Sequence, residues 1–208
     1  MIVVAARVWD WFMETSMSVL VCGAGPTGLV TAIELVRRGI DVRIVDAASE
    51  PSQLSKAAVL WRRSLEVLHS SVPVERFTAQ GRPVHGIQFE ANGSVLQEID
   101  FGTNTGRFPH GLFIPQNKTE AVLNAALESL GVKVEWGKEV KTVSLCESHV
   151  DVQFSDGEHS GFSWIVGADG AHSVSYTHLR AHETDSYLEC RLLLEKKIGR
   201  FRVQNKFQ

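Results

Sequence analysis

Residues 18–46 read SVLVCGAGPTGLVTAIELVRRGIDVRIVD, and this stretch decides the fold. It opens with a short apolar run at residues 19–22, which has the length and β-branching of a strand buried on both faces. A helical pattern with one apolar face follows and ends at Gly39, and a second strand at residues 42–45 leads to Asp46. This order predicts a βαβ crossover, in which a helix connects two neighbouring parallel strands.

Three glycines in this stretch, Gly23, Gly25 and Gly28, follow the spacing GxGxxG. The first allows a tight turn after the strand, the second lets a pyrophosphate approach the backbone, and the third lets the helix pack closely on the strand. The helix is expected to begin near Thr27, where its amide groups and positive dipole end favour a phosphate. Asp46 lies where an acid can accept hydrogen bonds from a ribose. These features predict a dinucleotide site; the alternative is a glycine-rich turn between packed elements, with Asp46 an ordinary acid at a strand end.

The composition is that of an ordinary soluble globular protein: 44% of the 208 residues are apolar, 22% are charged, and the formal net charge is −3. This balance excludes a strongly basic nucleic-acid-binding surface, and no apolar run is long enough to span a bilayer. The three cysteines, Cys22, Cys146 and Cys190, follow neither a metal-binding nor a disulfide spacing. A reducing, cytoplasmic setting is therefore expected.

The chain on either side of this unit shows further patterns. Residues 1–16 are interpreted as an upstream extension without function, because they fit neither a secretory signal nor a basic membrane-surface helix, and Met17 directly precedes the first strand. Residues 55–68 have apolar residues at helical spacing in their second half. Residues 84–101 contain two alternating runs around Asn92-Gly93, which predicts an antiparallel hairpin and the start of a second sheet.

A second helix and several strands are predicted further along the chain. The helix covers residues 118–130 and is stopped by Gly131. Apolar patterns predict strands at residues 132–136, 140–145, 150–154 and 162–166, with Asp156-Gly157 marking a turn. The expected fold class is therefore α/β, with a doubly wound parallel sheet joined to the beginning of an antiparallel or mixed sheet.

Three motifs, taken in order, resemble those of one protein family: GAGPTGL at residues 23–29, IPQNKTEAVL at 114–123 and IVGADGAHS at 165–173. The set is similar to the FAD-dependent aromatic hydroxylases, the single-component class A flavoprotein monooxygenases typified by phenol and p-hydroxybenzoate hydroxylases. Residues 55–68, SKAAVLWRRSLEVL, also resemble the family's segment after the ribose-binding acid. The resemblance covers residues 17–173 and implies a Rossmann-like FAD-binding domain, with the hairpin at 84–101 belonging to the sheet of a substrate domain.

The resemblance also implies cofactor-binding residues, which in chain order are Gly23, Gly25, Pro26, Thr27, Gly28, Asp46, Lys56, Gln116, Asp169 and Gly170. The glycine motif would cradle the FAD pyrophosphate, and Asp46 would hold the adenosine ribose. Lys56 would approach the cofactor, Gln116 would contact the flavin, and the Asp169-Gly170 pair would serve FAD and NAD(P)H. Taken singly, Lys56 also fits a solvated cationic face, Gln116 a polar helix start, and the Asp-Gly pair a plain turn.

The activity implied by the resemblance is hydroxylation of an aromatic substrate, with FAD as cofactor, NADH or NADPH as electron donor and molecular oxygen as co-substrate. No residue is identified as a base that ionises the substrate, and the oligomeric state is not indicated. One alternative is a flavoprotein of the same fold that reduces or epoxidises an apolar substrate, and another is a non-catalytic FAD-binding module. A simple NAD-dependent dehydrogenase is disfavoured by the motifs that contain Gln116 and Asp169.

The resemblance ends after Ser173, and residues 174–208 are interpreted as a non-native tail. Residues 174–197 resemble the translation of a sequencing-library adapter, so the chain is expected to be a truncated fragment that is inactive alone. The tail contains His178 and His182 with Glu183 beside the second histidine, an arrangement that could hold a metal ion. Because the adapter explains these residues, no metal site is expected.

Overall fold

The computed structural model describes residues 3–5, 17–53, 58–92, 94–101, 108, 110–170 and 201–202. The chain divides into two compact units. Unit 1 comprises Met1–Lys56 and Gln116–Ala181, and unit 2 comprises Ala57–Pro115 and His182–Gln208.

The described residues form strands and helices with the following bounds. The strands are β1 (Val3–Ala5), β2 (Ser18–Cys22), β3 (Asp41–Asp46), β4 (Val59–Leu60), β5 (Arg82–Val84), β6 (Gly86–Ala91), β7 (Ser94–Asp100), β8 (Gly111–Phe113), β9 (Val134–Trp136), β10 (Val140–Leu145), β11 (Val150–Phe154), β12 (His159–Phe162), β13 (Trp164–Gly167) and β14 (Phe201–Arg202). The helices are α1 (Pro26–Val36), α2 (Arg62–His69), α3 (Glu75–Thr78) and α4 (Gln116–Ser129).

A five-stranded sheet lies at the centre of unit 1, in the order β1-β13-β2-β3-β9. Strands β13, β2, β3 and β9 are parallel, whereas β1 pairs antiparallel with β13 at one edge. Leu20, Val21, Ile44 and Val45 are almost inaccessible to solvent, as expected for strands covered on both faces. The predicted βαβ crossover is confirmed, because α1 connects β2 to its parallel neighbour β3.

Helices cover one face of this sheet and strands cover the other. Helix α1 packs on β2 and β3, and α4 packs beside α1. Leu20 and Cys22 belong to a buried cluster with Val152 of a three-stranded antiparallel sheet, ordered β10-β11-β12. Because side chains alternate along a strand, Val19 and Val21 point to the helical face. The predicted α/β class is confirmed, with an antiparallel sheet as the layer opposite the helices.

The strand predicted at residues 162–166 is confirmed in part: Trp164–Gly167 forms β13, but the chain changes sheets at Ser163. His159–Phe162 pairs antiparallel with β11, whereas Trp164–Gly167 pairs parallel with β2. The Ser163 amide donates a hydrogen bond to the Ser18 carbonyl at 3.0 Å, and its Oγ accepts one from the Ser18 amide at 3.4 Å. These bonds hold the chain where it passes from one layer to the next, and a run of apolar residues does not show such a bend.

The other predicted elements of unit 1 are confirmed with small shifts in their bounds. Helix α4 covers Gln116–Ser129 rather than 118–130, and β9 covers Val134–Trp136 rather than 132–136. Strands β10 and β11 have the predicted bounds. The turn at Asp156-Gly157 is also present, between β11 and β12.

The described residues of unit 2 form two small antiparallel sheets, ordered β4-β8-β5 and β14-β6-β7. The predicted hairpin is confirmed: β6 and β7 pair antiparallel, and Asn92 in the connecting turn has φ of 53°. Helix α2 confirms the helical pattern in the second half of residues 55–68 and buries Leu65 and Leu68.

The two ends of the chain are described in part. Within residues 1–16, Val3–Ala5 forms the edge strand β1. Within residues 174–208, Phe201–Arg202 pairs antiparallel with β6. The rest of the tail lies outside the described residues, with His178, His182 and Glu183 among them. The interpretations of residues 1–16 and 174–208 therefore stay predictions.

Candidate cofactor-binding site

The glycine turn after β2 is closed on one side by the end of β13. The Gly23 amide donates to the Val45 carbonyl at 2.7 Å, and the Ala168 amide donates to the Cys22 carbonyl at 2.7 Å. Gly23 has φ of 102°, and a Cβ there would overlap the carbonyl oxygen of Ala168. A Cβ on Gly28 would overlap the carbonyl oxygen of Gly23. Both positions therefore require glycine for the turn to pack against α1 and β13.

Gly25, in contrast, faces open space. It is the N-cap of α1 in an extended conformation, and no described atom lies within 4 Å of a Cβ built on it. Pro26 and Thr27 begin the first helical turn, PTGL, which contains no acidic residue. The amides of a first turn have no acceptor within the helix, and the helix dipole favours an anion there. The open side of Gly25 therefore fits a phosphate of a dinucleotide, a position that a side chain would occupy.

The Asp46 carboxylate, at the end of β3, binds backbone amides with both oxygens. Oδ2 accepts a hydrogen bond from the Ala24 amide at 2.6 Å, and Oδ1 accepts one from the Ala48 amide at 2.8 Å. The Asp46 carbonyl accepts a third bond from the Lys138 amide at 2.9 Å. These contacts fix the carboxylate beside the glycine turn. Each carboxylate oxygen keeps a lone pair for a further donor.

A cleft of about 210 Å³ opens at the carboxyl ends of β2, β3 and β13. It brings together Gly23, Asp46 and Asp169, three predicted cofactor residues that are far apart in the sequence. Ligands of open parallel sheets bind at this end of the strands.

Sequence reasoning missed one wall of the cleft, which is formed by Lys138, Glu139 and Val140. The wall follows β9. The Lys138 amide holds it to the end of β3 through a bond to the Asp46 carbonyl at 2.9 Å, and the Gly137 amide binds the Ala48 carbonyl just after β3 at 2.7 Å. The available signal was the segment GKE at residues 137–139, directly after a predicted strand. However, the parallel pairing of β9 with β3 is what brings this segment to the ligand end of the sheet.

Six further predicted cofactor residues in the described part of the chain do not line this cleft: Gly25, Pro26, Thr27, Gly28, Gln116 and Gly170. Gln116 begins α4, and its Nε2 donates to Glu120 Oε1 at 2.7 Å. Gly170 follows Asp169 with φ of 80°, a left-handed conformation that favours glycine. Lys56 lies outside the described residues, so its predicted role stays a prediction.

Five charged side chains form an ion-pair cluster between the parallel sheet and the antiparallel sheet of unit 1: Arg43, Glu135, Lys138, Asp156 and Glu158. The Arg43 guanidinium donates to Glu135 at 2.6 and 2.8 Å and to Glu158 at 2.5 and 3.2 Å. The Lys138 ammonium donates to Asp156 at 2.8 Å and also to Glu158. Both cations lie over the buried Phe154 ring, at 4.8 and 5.0 Å from its centroid. The cluster therefore fixes Lys138, and with it one wall of the cleft.

The hydrogen bonds of the ion-pair cluster shift the pKa values of its members. Bonds from Arg43, Lys138 and Ser160 hold the pKa of Glu158 far below its ordinary value. The bond to Lys138 lowers the pKa of Asp156. Bonds to Asp156 and Glu158 raise the pKa of Lys138, and bonds to Glu135 and Glu158 raise that of Arg43. These four groups are therefore charged at neutral pH.

The part of the chain that the structure describes offers no metal centre and no membrane span. No group of three His, Cys, Asp or Glu side chains among the described residues is placed to hold a metal ion. No helix formed by those residues is long and apolar enough to cross a membrane.

Sequence comparison identifies relatives of the chain. The model of a family described as FAD binding domain matches residues 16–191. The chain is 35% identical over 193 residues to 6-methylpretetramide 4-monooxygenase from Streptomyces rimosus, covering 88% of this chain and 34% of that protein. It is 33% identical over 162 residues to pentachlorophenol 4-monooxygenase from Sphingobium chlorophenolicum, covering 75% of this chain and 30% of that protein. The chain thus spans about a third of the length of these curated relatives.

Comparison with solved structures agrees with the sequence comparison. The chain superposes on OxyS anhydrotetracycline hydroxylase from Streptomyces rimosus with a TM-score of 0.69 and 31% identity, over 79% of this chain and 34% of that one. The family match extends over most of the chain and includes the glycine turn, Asp46 and the Asp169-Gly170 pair. The resemblance indicated by the motifs is confirmed, and the chain belongs to the FAD binding domain family, in which the relatives named here are monooxygenases and a hydroxylase.

Proposed function

We propose that this chain is the FAD-binding part of an NAD(P)H-dependent flavoprotein monooxygenase that hydroxylates an aromatic substrate. The proposal is carried by the joint position of Gly23, Asp46 and Asp169 at one cleft beyond the carboxyl ends of parallel strands. The names of the relatives support the reaction class, and the phenol in one of those names supports an aromatic substrate.

Within this proposal, the chain's own residues bind and orient FAD. The first-turn amides of α1, made accessible by Gly25, hold the pyrophosphate. Asp46 accepts hydrogen bonds from the adenosine ribose with the lone pairs that Ala24 and Ala48 leave available. Gln116 contacts the flavin part of the cofactor, and the Asp-Gly pair at the end of β13 serves both FAD and NAD(P)H. When bound, the flavin supplies the redox chemistry, taking electrons from NADH or NADPH and activating molecular oxygen.

A cytoplasmic location belongs to the same proposal. Cys22 and Cys146, the cysteines in the described part of the chain, are thiols rather than partners in a disulfide. Thiols are the usual state of cysteine in a reducing compartment.

Substitution of Gly25 by valine tests where FAD binds. Gly25→Val places a branched side chain in the space assigned to the pyrophosphate, whereas the backbone there is extended and unstrained. The 208-residue chain should therefore lose at least about tenfold in FAD affinity, measured by flavin fluorescence titration. Its unfolding free energy should change by less than about 0.5 kcal/mol.

A control is Thr31→Val, which replaces a hydroxyl by a methyl group further along the same helix and should leave FAD affinity unchanged. Unaltered FAD affinity in Gly25→Val would show that the pyrophosphate lies elsewhere. The reaction class is tested separately with the complete protein, in which a phenol should stimulate oxidation of NADH or NADPH. No stimulation by any member of a phenol panel would contradict the proposed hydroxylation.

A further inference from the structure

Gln116 lies at the same edge of the parallel sheet as the glycine turn. Helix α1 leads into β3, and α4 leads through residues 130–133 into β9. Because β3 and β9 are parallel and the two helices pack side by side, both helices run from the carboxyl edge of the sheet towards its opposite edge. Helix α4 has 14 residues and is therefore about 21 Å long. Its first residue, Gln116, thus stands at the edge where ligands of open parallel sheets bind.

The side chain of Gln116 is held by Glu120, one turn further along α4. Gln116 Nε2 donates to Glu120 Oε1 at 2.7 Å, and this bond is partly buried. Residues four apart face each other on a helix, so the two side chains can meet. An ionised carboxylate accepts hydrogen bonds and donates none, so it pairs with the NH2 end of an amide. Glu120 therefore fixes the orientation of the Gln116 amide and turns its carbonyl oxygen away from the carboxylate.

This orientation decides what Gln116 can offer a ligand. The two ends of a glutamine amide are similar in shape, but one end donates hydrogen bonds and the other accepts them. With the NH2 end directed at Glu120, the carbonyl oxygen and its two lone pairs face other partners. The flavin half of FAD carries donors for such an acceptor, namely a ring N–H and the ribityl hydroxyls.

A second amide–carboxylate pair of the same kind lies further along α4. Asn124 Nδ2 donates to Glu128 Oε1 at 2.9 Å, again across four residues. This bond is exposed, whereas the bond between Gln116 and Glu120 is partly buried. Glu128 is two turns beyond Glu120, about 12 Å further from the carboxyl edge of the sheet. The second pair therefore serves as a matched control within the same helix.

We propose that Glu120 is a positioning residue for the cofactor, which holds the Gln116 amide so that its carbonyl oxygen accepts a hydrogen bond from the flavin half of FAD. This inference rests on the proposed function, because that function assigns Gln116 to the flavin. Glu120 itself does not contact the cofactor. The pyrophosphate is then bound at the start of α1 and the flavin half at the start of α4.

The test compares FAD with ADP, which retains the adenosine and the two phosphates but lacks the flavin half, by calorimetric titration of the 208-residue chain. Glu120→Gln retains the size of the side chain but adds a donor, so the Gln116 amide can take either orientation. FAD affinity should fall about three- to tenfold, as for the loss of one hydrogen bond, whereas ADP affinity should stay within about twofold. Glu128→Gln makes the same change in the control pair and should leave both affinities unchanged.

A double-mutant cycle tests whether Glu120 acts through Gln116. In a Gln116→Ala chain, Glu120→Gln should cause no further loss of FAD affinity, because the amide that it positions is absent. A further loss there, or equal losses of FAD and ADP affinity in Glu120→Gln alone, would show a general structural role and overturn the inference. Unchanged FAD affinity in Glu120→Gln would also overturn it, while leaving the FAD assignment intact. Failure of the unmodified chain to bind FAD would overturn both.

Discussion

Among the glycines of unit 1 that have left-handed backbone conformations, Gly23 and Gly39 have different surroundings. Gly23 has φ of 102° and lies against the backbone of Ala168, whereas Gly39 has φ of 77° and no described atom within 4 Å of the position that a Cβ would take. Gly39→Ala should lower the free energy of unfolding by about 1 kcal/mol, because alanine disfavours this conformation. Gly23→Ala adds an overlap with rigid backbone and should lose at least about 3 kcal/mol. Urea unfolding of the two variants measures the difference.

This pair of variants separates conformational strain from packing at single residues. Equal losses would show that the end of β13 moves aside for a methyl group, and the glycine turn would then be less fixed than its hydrogen bonds indicate. The GxGxxG spacing predicted that Gly23 is required, because the motif itself implies a tight turn. It did not identify Ala168 as the contact, because nothing in the local sequence shows which distant strand lies beside the turn.

At the scale of elements, the ion-pair cluster joins β3, β9 and the cleft wall that follows β9 to the turn between β11 and β12. Its carboxylates make the stability of the fold depend on pH in the acid range. The pKa of Glu158 is lowered chiefly by Arg43, and that of Asp156 chiefly by Lys138. A carboxyl group whose pKa is lowered on folding stabilises the folded state at pH values above its ordinary pKa. That ordinary pKa is 4.5 for Glu158 and 3.8 for Asp156. That stabilisation is lost as the pH falls through the folded-state pKa.

Glu158→Gln should therefore lower the urea midpoint at neutral pH and make the midpoint fall less steeply below pH 4.5 than in the unmodified chain. The glutamine retains the size of the side chain but removes the charge that Arg43 and Lys138 contact. Glu66→Gln is the control, because Glu66 forms exposed pairs on α2 and should change the unfolding free energy by less than about 1 kcal/mol. If the urea midpoints of Glu158→Gln and the unmodified chain fell in parallel as the pH is lowered, the lowered pKa of Glu158 would be contradicted.

Helices and strands could be predicted from the sequence where the residue pattern that specifies them is local. Strand β2, helix α1, strand β3 and the β6–β7 hairpin follow from periodicity, glycines and the Asn-Gly turn. The change of sheet at Ser163 was not predictable in the same way. Residues on both sides of it are apolar enough for one continuous strand, and the bond to Ser18 that fixes the bend joins distant parts of the sequence.

At the scale of the whole molecule, the candidate site depends on which strands are neighbours. Gly23, Asp46 and Asp169 could be predicted together because each follows a strand that the sequence places in one parallel sheet. The wall at Lys138 could not, since it requires knowing that β9 pairs with β3. The ion-pair cluster requires in addition that the antiparallel sheet packs on the parallel one. Such pairing across long separations is a property of the complete fold.

The exposed edge strand β7 predicts that copies of this chain associate with one another. All seven residues of this strand are exposed, with Val95 at 55% and Leu96 at 70%, and β7 is the edge strand in the described sheet order β14-β6-β7. An edge strand with exposed apolar residues can pair with a second copy. Leu96→Lys should therefore reduce the oligomers seen by sedimentation at high protein concentration. The control Leu145→Lys changes a leucine that is 60% exposed on β10, without exposed apolar neighbours in that strand, and should have little effect. Equal reduction by both variants would show that general charge, rather than the β7 edge, limits association.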